Sequence, residues 1–141
     1  MVDPVLIERI LGEIKTNIEV LKQAADIDWD VYRSDLRARR FVERTLHVLI
    51  EACIDIAQHI IADKKLREPA SYRDTFAVLA ENGVLNQNDL TKFEKMASFR
   101  NLIVHYYERV DDAVVFGVFR KNLADFETYC DQIVEHLKRS G

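Results

Sequence analysis

Hydrophobic positions recur along this chain at steps of three and four residues, the period of a helix that buries one face. The first such stripe is Ile7, Ile10, Leu11, Ile14, Ile18, Leu21 and Ala25. Asp3-Pro4 opens it: Asp accepts hydrogen bonds from the unpaired amides of a first turn, and Pro fits that turn. A polar break at residues 26–30 offers a new cap, and the spacing then predicts a second helix over about residues 30–63. Its buried stripe is Leu36, Val42, Leu46, Leu49, Cys53, Ile56 and Ile60. Between Leu49 and Ile61 apolar residues occupy more than one face, which marks this helix as the central one.

A charged loop with Pro69 follows, and Ser71 caps a short third helix over residues 72–81. Asn82-Gly83 ends that helix, with Gly83 supplying the left-handed residue. Asn86 or Asn88 caps a fourth helix through Leu90, Phe93, Met96 and Ala97 to about Val104. Asp111 caps the last one, whose stripe is Val115, Val118, Phe119, Leu123, Phe126, Cys130, Ile133 and Leu137. The expectation is an all-α fold, an antiparallel up-and-down bundle of four longer helices plus one short helix.

Composition supports this. The 141 residues are 48% hydrophobic and hold only four Gly and two Pro, so they form one domain, residues 1–141, with a real core. Cys53 and Cys130 lie on apolar stripes and read as buried thiols rather than a disulfide or redox pair. No Cys/His cluster has zinc spacing, and neither a metal nor a cofactor is expected. There is no signal-peptide pattern and no apolar run near ~20 residues, so the expected location is the cytoplasm, without membrane contact. The net charge of −4 does not attract nucleic acid in general, so any such contact needs a local basic patch.

The densest chemistry is Arg100-Asn101-Leu102-Ile103-Val104-His105-Tyr106-Tyr107, where the fourth helix runs out. The planar guanidinium fork matches phosphate oxygens, and an imidazole exchanges a proton near neutral pH. On a helix Asn101 and His105 share a face, with Arg100 on the neighbouring face, about 100° away. All three reach one cleft if His105 lies at or just past the helix end. An ordinary exposed helix terminus, with His105 as a favourable C-terminal cation, accounts for the same spacing.

Arg33, Arg37, Arg40 and Arg44 share a face at the start of the second helix. They read either as a solvated face paired with Asp30, Asp35 and Glu43, or as a phosphate-tracking stripe for RNA or an acidic partner. His47, His59 and His136 lack neighbours at metal-ligand spacing and read as polar core or surface residues. Glu51 and Asp55 are embedded in an apolar run. A buried carboxylate needs a partner, and an Arg of a neighbouring helix, in a structural role, is expected.

The segment at 100–107 resembles the HEPN superfamily and, within it, the HepT-like toxins of bacterial and archaeal toxin–antitoxin pairs. That family carries Arg, four residues, His, one residue, Tyr; here these are Arg100, His105 and Tyr107. Asn101 matches the polar residue that often follows the Arg. Residues 71–76, 79–85 and 99–101 look like the family's third and fourth helices, and Arg40, Glu43-Arg44 and residues 51–61 like its second. The likeness spans about residues 36–140.

The resemblance implies a HEPN-like bundle and a metal-independent RNA endonuclease, the toxin of a type VII (HEPN/MNT) toxin–antitoxin pair. It also implies a homodimer whose two Arg-His motifs meet in one composite cleft. Carried over by position, His105 handles the ribose 2′-hydroxyl proton, Arg100 holds the scissile phosphate, and Asn101 orients the phosphate or the imidazole. A 2′,3′-cyclic phosphate and a 5′-hydroxyl result. Tyr107 matches a tyrosine that the partner antitoxin, a minimal nucleotidyltransferase (MntA-like), adenylylates; Tyr106 reads as a packing residue. Arg37, Arg40 and Arg44 are candidate contacts for RNA or partner. The alternative is a non-catalytic HEPN module that binds nucleotides or a nucleotidyltransferase. The intact Arg-His-Tyr set weighs against it, and a purely structural bundle leaves that set a coincidence.

Overall fold

The computed structural model describes residues 3–104 and 111–140, and among these every α-helix follows the all-α expectation. The elements are α1 (Pro4–Gln23), α2 (Trp29–Ser34), α3 (Leu36–Lys64), α4 (Tyr72–Glu81), a 3-10 turn (Gln87–Asp89), α5 (Leu90–Val104), α6 (Asp112–Lys121) and α7 (Leu123–Ser140). The four longer helices are α1, α3, α5 and α7, and the predicted short one is α4.

The local signals act as read. Asp3 accepts from the amides of Val5 and Leu6, and Ser71 from that of Asp74. Asp111 accepts from Ala113 and Val114. Gly83, at φ 74°, lets the Val84 amide return to the Leu79 carbonyl at 3.0 Å, closing α4. Asn86 caps the 3-10 turn that leads into α5 rather than α5 itself. Gln132 of α7 fixes that entry: it accepts from the Asn86 amide and donates to the Asp89 carboxylate, each at 2.8 Å.

Two predicted helices are each divided. The second breaks at Asp35, which adopts φ −103°, ψ 105° and turns its carboxylate onto the amides of Arg37 and Ala38. Trp29 and Tyr32 of α2 pack on Phe116 of α6, with ring centroids 5.3 and 5.5 Å apart, and this packing holds α2 off the axis of α3. The last helix breaks at Asn122, whose amide closes α6 on Val118 while its carbonyl receives the Asp125 amide of α7. The apolar period runs straight across both breaks, so it hides them. Separate short-range capping bonds compete with helix continuation at each.

Helix α3 is the axis. It packs against α1, α2, α4, α5 and α6, and buries residues on several faces, from Ala38 to Ile61. By length and composition alone it could cross a membrane, contrary to the expectation that no run approaches that size. Its apolar surface is instead taken up by the surrounding helices, with 56% of the most apolar window buried.

Behind α3, Phe76 of α4, Phe93 of α5 and Tyr129 of α7 meet with centroids 5.5–6.4 Å apart. The Tyr129 hydroxyl donates to the Cys53 carbonyl of α3 at 2.7 Å, so one buried phenol joins α7 to the axis. Both cysteines are buried free thiols as expected, and burial pushes that of Cys130 up to about 11. Arg67, in the loop before α4, grips the carboxylates of Asp74 and Glu81 at 2.8–2.9 Å. Arg73 of α4 reaches Glu94 of α5 at 3.4 Å. These pairs and the Ser71 cap fix where α4 begins, and Tyr72 is its first residue.

Tyr129→Phe keeps the aromatic cluster and removes one buried hydrogen bond. It is expected to cost about 1 kcal/mol, against about 3–5 kcal/mol for Tyr129→Ala, in urea unfolding followed by circular dichroism. Equal midpoints for Tyr129→Phe and the parent chain would show that the bond to α3 contributes nothing.

Candidate functional site

Helix α5 turns Phe93, Met96, Ala97, Phe99 and Ile103 into the core. Arg100 follows Phe93 by seven residues and Ala97 by three, so it falls on this inward stripe, while Asn101 is exposed. The side chain of Arg100 retains only 18% of its exposure. A cation so placed needs partners from the protein.

It has three. Nε of Arg100 donates to Oε1 of Glu51 on α3 at 2.7 Å. The guanidinium lies over the ring of Tyr72, 4.4 Å from its centroid. A terminal nitrogen comes within 3.5 Å of the Asn101 side-chain oxygen. A hydrogen bond at Nε and an aromatic ring beneath the plane together set both the tilt and the rotation of the group.

Glu51 belongs to a polar stripe on α3: Arg40, Arg44, His47 and Glu51 recur at steps of four, three and four. Nε2 of His47 lies 3.2 Å from the same Oε1 that Arg100 uses. Burial pushes the Glu51 carboxyl up, but the hydrogen bonds and charges of Arg100 and His47 outweigh it and hold it below the usual carboxylate range. It is therefore ionised at neutral pH and acts purely as an acceptor.

Among the described residues, two grooves flank the cluster. One, of about 410 Å³, has Arg44, His47, Glu51, Asp55 and Tyr72 among its walls, with Ile10 and Glu13 of α1 opposite. The other, of about 360 Å³, is lined by Arg40, Glu43, Arg44, His47 and Ile103. Arg44 and His47 belong to both. A depression of about 490 Å³ lies elsewhere, between α5, α6 and α7, with mostly apolar walls such as Met96, Phe99 and Phe126 and with Lys92 and Lys95 at its border.

The residues singled out from sequence divide accordingly. Arg100 and Asn101 are together at the end of α5, with Arg100 inward. His105, Tyr106 and Tyr107 lie outside the described residues. Arg40 and Arg44 line the grooves; Arg40 is 62% exposed and pairs with Glu43 at 3.2 Å. Arg37 is exposed on α3 outside both groove walls. Arg33 does not share their face, because the break at Asp35 puts it on α2, where it lies over the Trp29 ring. Asp35 caps α3 rather than pairing with an arginine.

Glu51 does find an Arg on a neighbouring helix, and that Arg is Arg100 itself. Asp55 is exposed instead of buried and pairs with His59 of its own helix at 3.4 Å. Tyr72 and His47 carry no sequence signal for this cluster. Glu51 carries one: a carboxylate between Ile50 and Ala52 demands a cation.

Comparison with known proteins agrees with the fold and with the family resemblance. The "Ribonuclease HepT-like" family model matches residues 14–133. The mRNA nuclease HepT of Shewanella oneidensis is 33% identical over 126 residues, 88% of this chain and 95% of that protein. The tRNA nuclease HepT of Aphanizomenon flos-aquae is 30% identical over 138 residues, 96% of this chain and 92% of that protein. The solved structure of the tri-AMPylated Shewanella oneidensis HEPN toxin in complex with MNT antitoxin superposes with a TM-score of 0.82 at 33% identity. That alignment covers 92% of this chain and 96% of the other. With a family model over most of its length and two such relatives, this chain belongs to the Ribonuclease HepT-like family.

Proposed function

We propose that this chain is the toxin ribonuclease of a HEPN/MNT toxin–antitoxin pair, acting in the cytoplasm on RNA without a metal. The observation that carries the reading is Arg100. A guanidinium held by Glu51 and Tyr72, both in the wall of one groove, and by Asn101 heads the Arg100, His105, Tyr107 spacing in a chain of the HepT-like family. Relatives named as an mRNA nuclease and a tRNA nuclease support RNA as the substrate class.

RNA carries its own nucleophile. The 2′-hydroxyl sits beside the phosphorus, so cleavage needs a proton removed, a proton returned and the extra charge on phosphate stabilised. His105 takes the 2′-hydroxyl proton or supplies one to the leaving 5′-oxygen. Arg100 binds the phosphate through its paired N–H groups and stabilises the charge as it grows. Asn101 orients the phosphate or the imidazole. One chain supplies one imidazole at this motif, whereas the reaction is best served by a base and an acid. A homodimer that brings two motifs together provides both. Arg40 and Arg44, with Arg37 further along α3, guide the flanking backbone.

Tyr107 is the control point in this reading. Transfer of AMP from ATP to its hydroxyl by a partner nucleotidyltransferase, with release of pyrophosphate, adds bulk and negative charge to the motif and opposes an RNA backbone. The complex of an AMPylated HEPN toxin with MNT antitoxin supports such a partner.

Purified chain is expected to cut RNA in the presence of EDTA, to leave DNA intact, and to yield 2′,3′-cyclic phosphate and 5′-hydroxyl ends. His105→Ala should lower the rate by about 10²–10⁴-fold and Arg100→Ala by about 10²–10³-fold, with helicity unchanged. A His105→Ala variant that cuts at the parent rate removes the catalytic assignment. A purified dimer that cuts no RNA, yet binds a nucleotidyltransferase tightly, favours the non-catalytic module instead.

Co-expression with an active MNT-type nucleotidyltransferase should shift the intact mass by one or more AMP increments and silence cleavage. Tyr107→Phe should stay at the unmodified mass and remain active. An equal mass shift in Tyr107→Phe would place the modification elsewhere.

A further inference from the structure

A phosphate needs the end of the guanidinium fork, where the two terminal amino groups project in parallel. An arginine side chain has several rotatable bonds, and left alone it presents that edge only part of the time. A misplacement of about 1 Å at a reacting group costs on the order of 10²-fold in rate. Glu51 contacts Arg100 at Nε, on the lateral edge of the fork. That contact holds the side chain without using either terminal amino group, one of which comes within 3.5 Å of the Asn101 side-chain oxygen. Tyr72, fixed at the first turn of α4 by the Ser71 cap and the Arg67 clamp, sets the plane. His47, from the turn before, shares the Glu51 oxygen and holds the carboxylate in its rotamer.

We propose that Glu51 is a positioning residue, which with Tyr72 as platform aims the terminal edge of Arg100 at the scissile phosphate. This rests on the reading of Arg100 as the phosphate-holding group. Charge alone argues against so close a carboxylate, because a second negative charge beside the phosphate weakens ground-state attraction. Its presence is accounted for if orientation in the transition state outweighs that loss. A tie between α3 and α5 for stability alone makes a different forecast, since it moves the unfolding midpoint and leaves the kinetic constants of the folded enzyme alone.

The test is kcat and KM for cleavage of a short single-stranded RNA by Glu51→Ala, Glu51→Gln and Tyr72→Leu, with Arg100→Ala as control and circular dichroism on each. Glu51→Ala should lose about 10–100-fold in kcat, while KM stays level or falls because a negative charge has gone. Glu51→Gln keeps an oxygen that accepts from Nε and should recover most of that loss. Parent-like kcat in Glu51→Ala beside an inactive Arg100→Ala overturns the proposal and leaves the reading of Arg100 standing. Glu51→Gln no better than Glu51→Ala, with both folded, also overturns it. Full activity in Arg100→Ala overturns the underlying reading and this proposal with it. Should Glu51→Ala not fold, Tyr72→Leu decides: a kcat loss near tenfold at unchanged KM supports the proposal, and an unchanged kcat overturns it.

Discussion

The pairing of Arg100 with Glu51, 2.7 Å apart over the face of Tyr72, is the constraint on which the functional region depends. It brings α3, α4 and α5 to one point. An arginine on the inward stripe of α5 would be intolerable without it, because a cation stripped of water must be neutralised or stacked. Both happen here: Glu51 takes Nε and Tyr72 the face of the fork, while of the terminal nitrogens one comes within 3.5 Å of the Asn101 oxygen. A group that is expensive to bury is thus held in one orientation by residues that also wall a groove.

The rest of the bundle serves that point. Central α3 fixes Glu51, His47 and Arg44 on one face while its other faces bury the apolar residues that hold it in place. The Phe76, Phe93 and Tyr129 cluster sets α4 and α5 against α7, and the Tyr129 hydroxyl ties that cluster to α3. Arg67 and Ser71 decide the register of α4, and therefore where the Tyr72 ring sits. In the proposed function the acidic net charge is no obstacle to RNA, because attraction would be set locally by Arg37, Arg40, Arg44 and Arg100.

Much of the fold was legible because its signals are short-range. Caps at Asp3, Ser71 and Asp111 and the turn at Gly83 need only a few neighbouring residues to act. The breaks at Asp35 and Asn122 were not legible, since apolar period continues through them and the aromatic packing that stabilises the first comes from α6. At the candidate site the motif spacing was readable, and so was the need of Glu51 for an arginine. Its identity was not, because 49 residues separate Glu51 from Arg100 and only packing joins them. The spacing placed Arg100 on the face next to that of Asn101 and His105 and left open whether the helix end is a cleft or an exposed terminus. The stripe Phe93, Ala97, Arg100 turns Arg100 inward.

The central claim is that a planar, two-pronged cation in a fixed orientation does the work, rather than positive charge alone. Single-turnover RNA cleavage by Arg100→Lys tests it most directly. Lysine retains the charge but has neither an Nε–H for Glu51 nor a second prong for phosphate. The account predicts a rate close to that of Arg100→Ala; a rate close to that of the parent chain would contradict it.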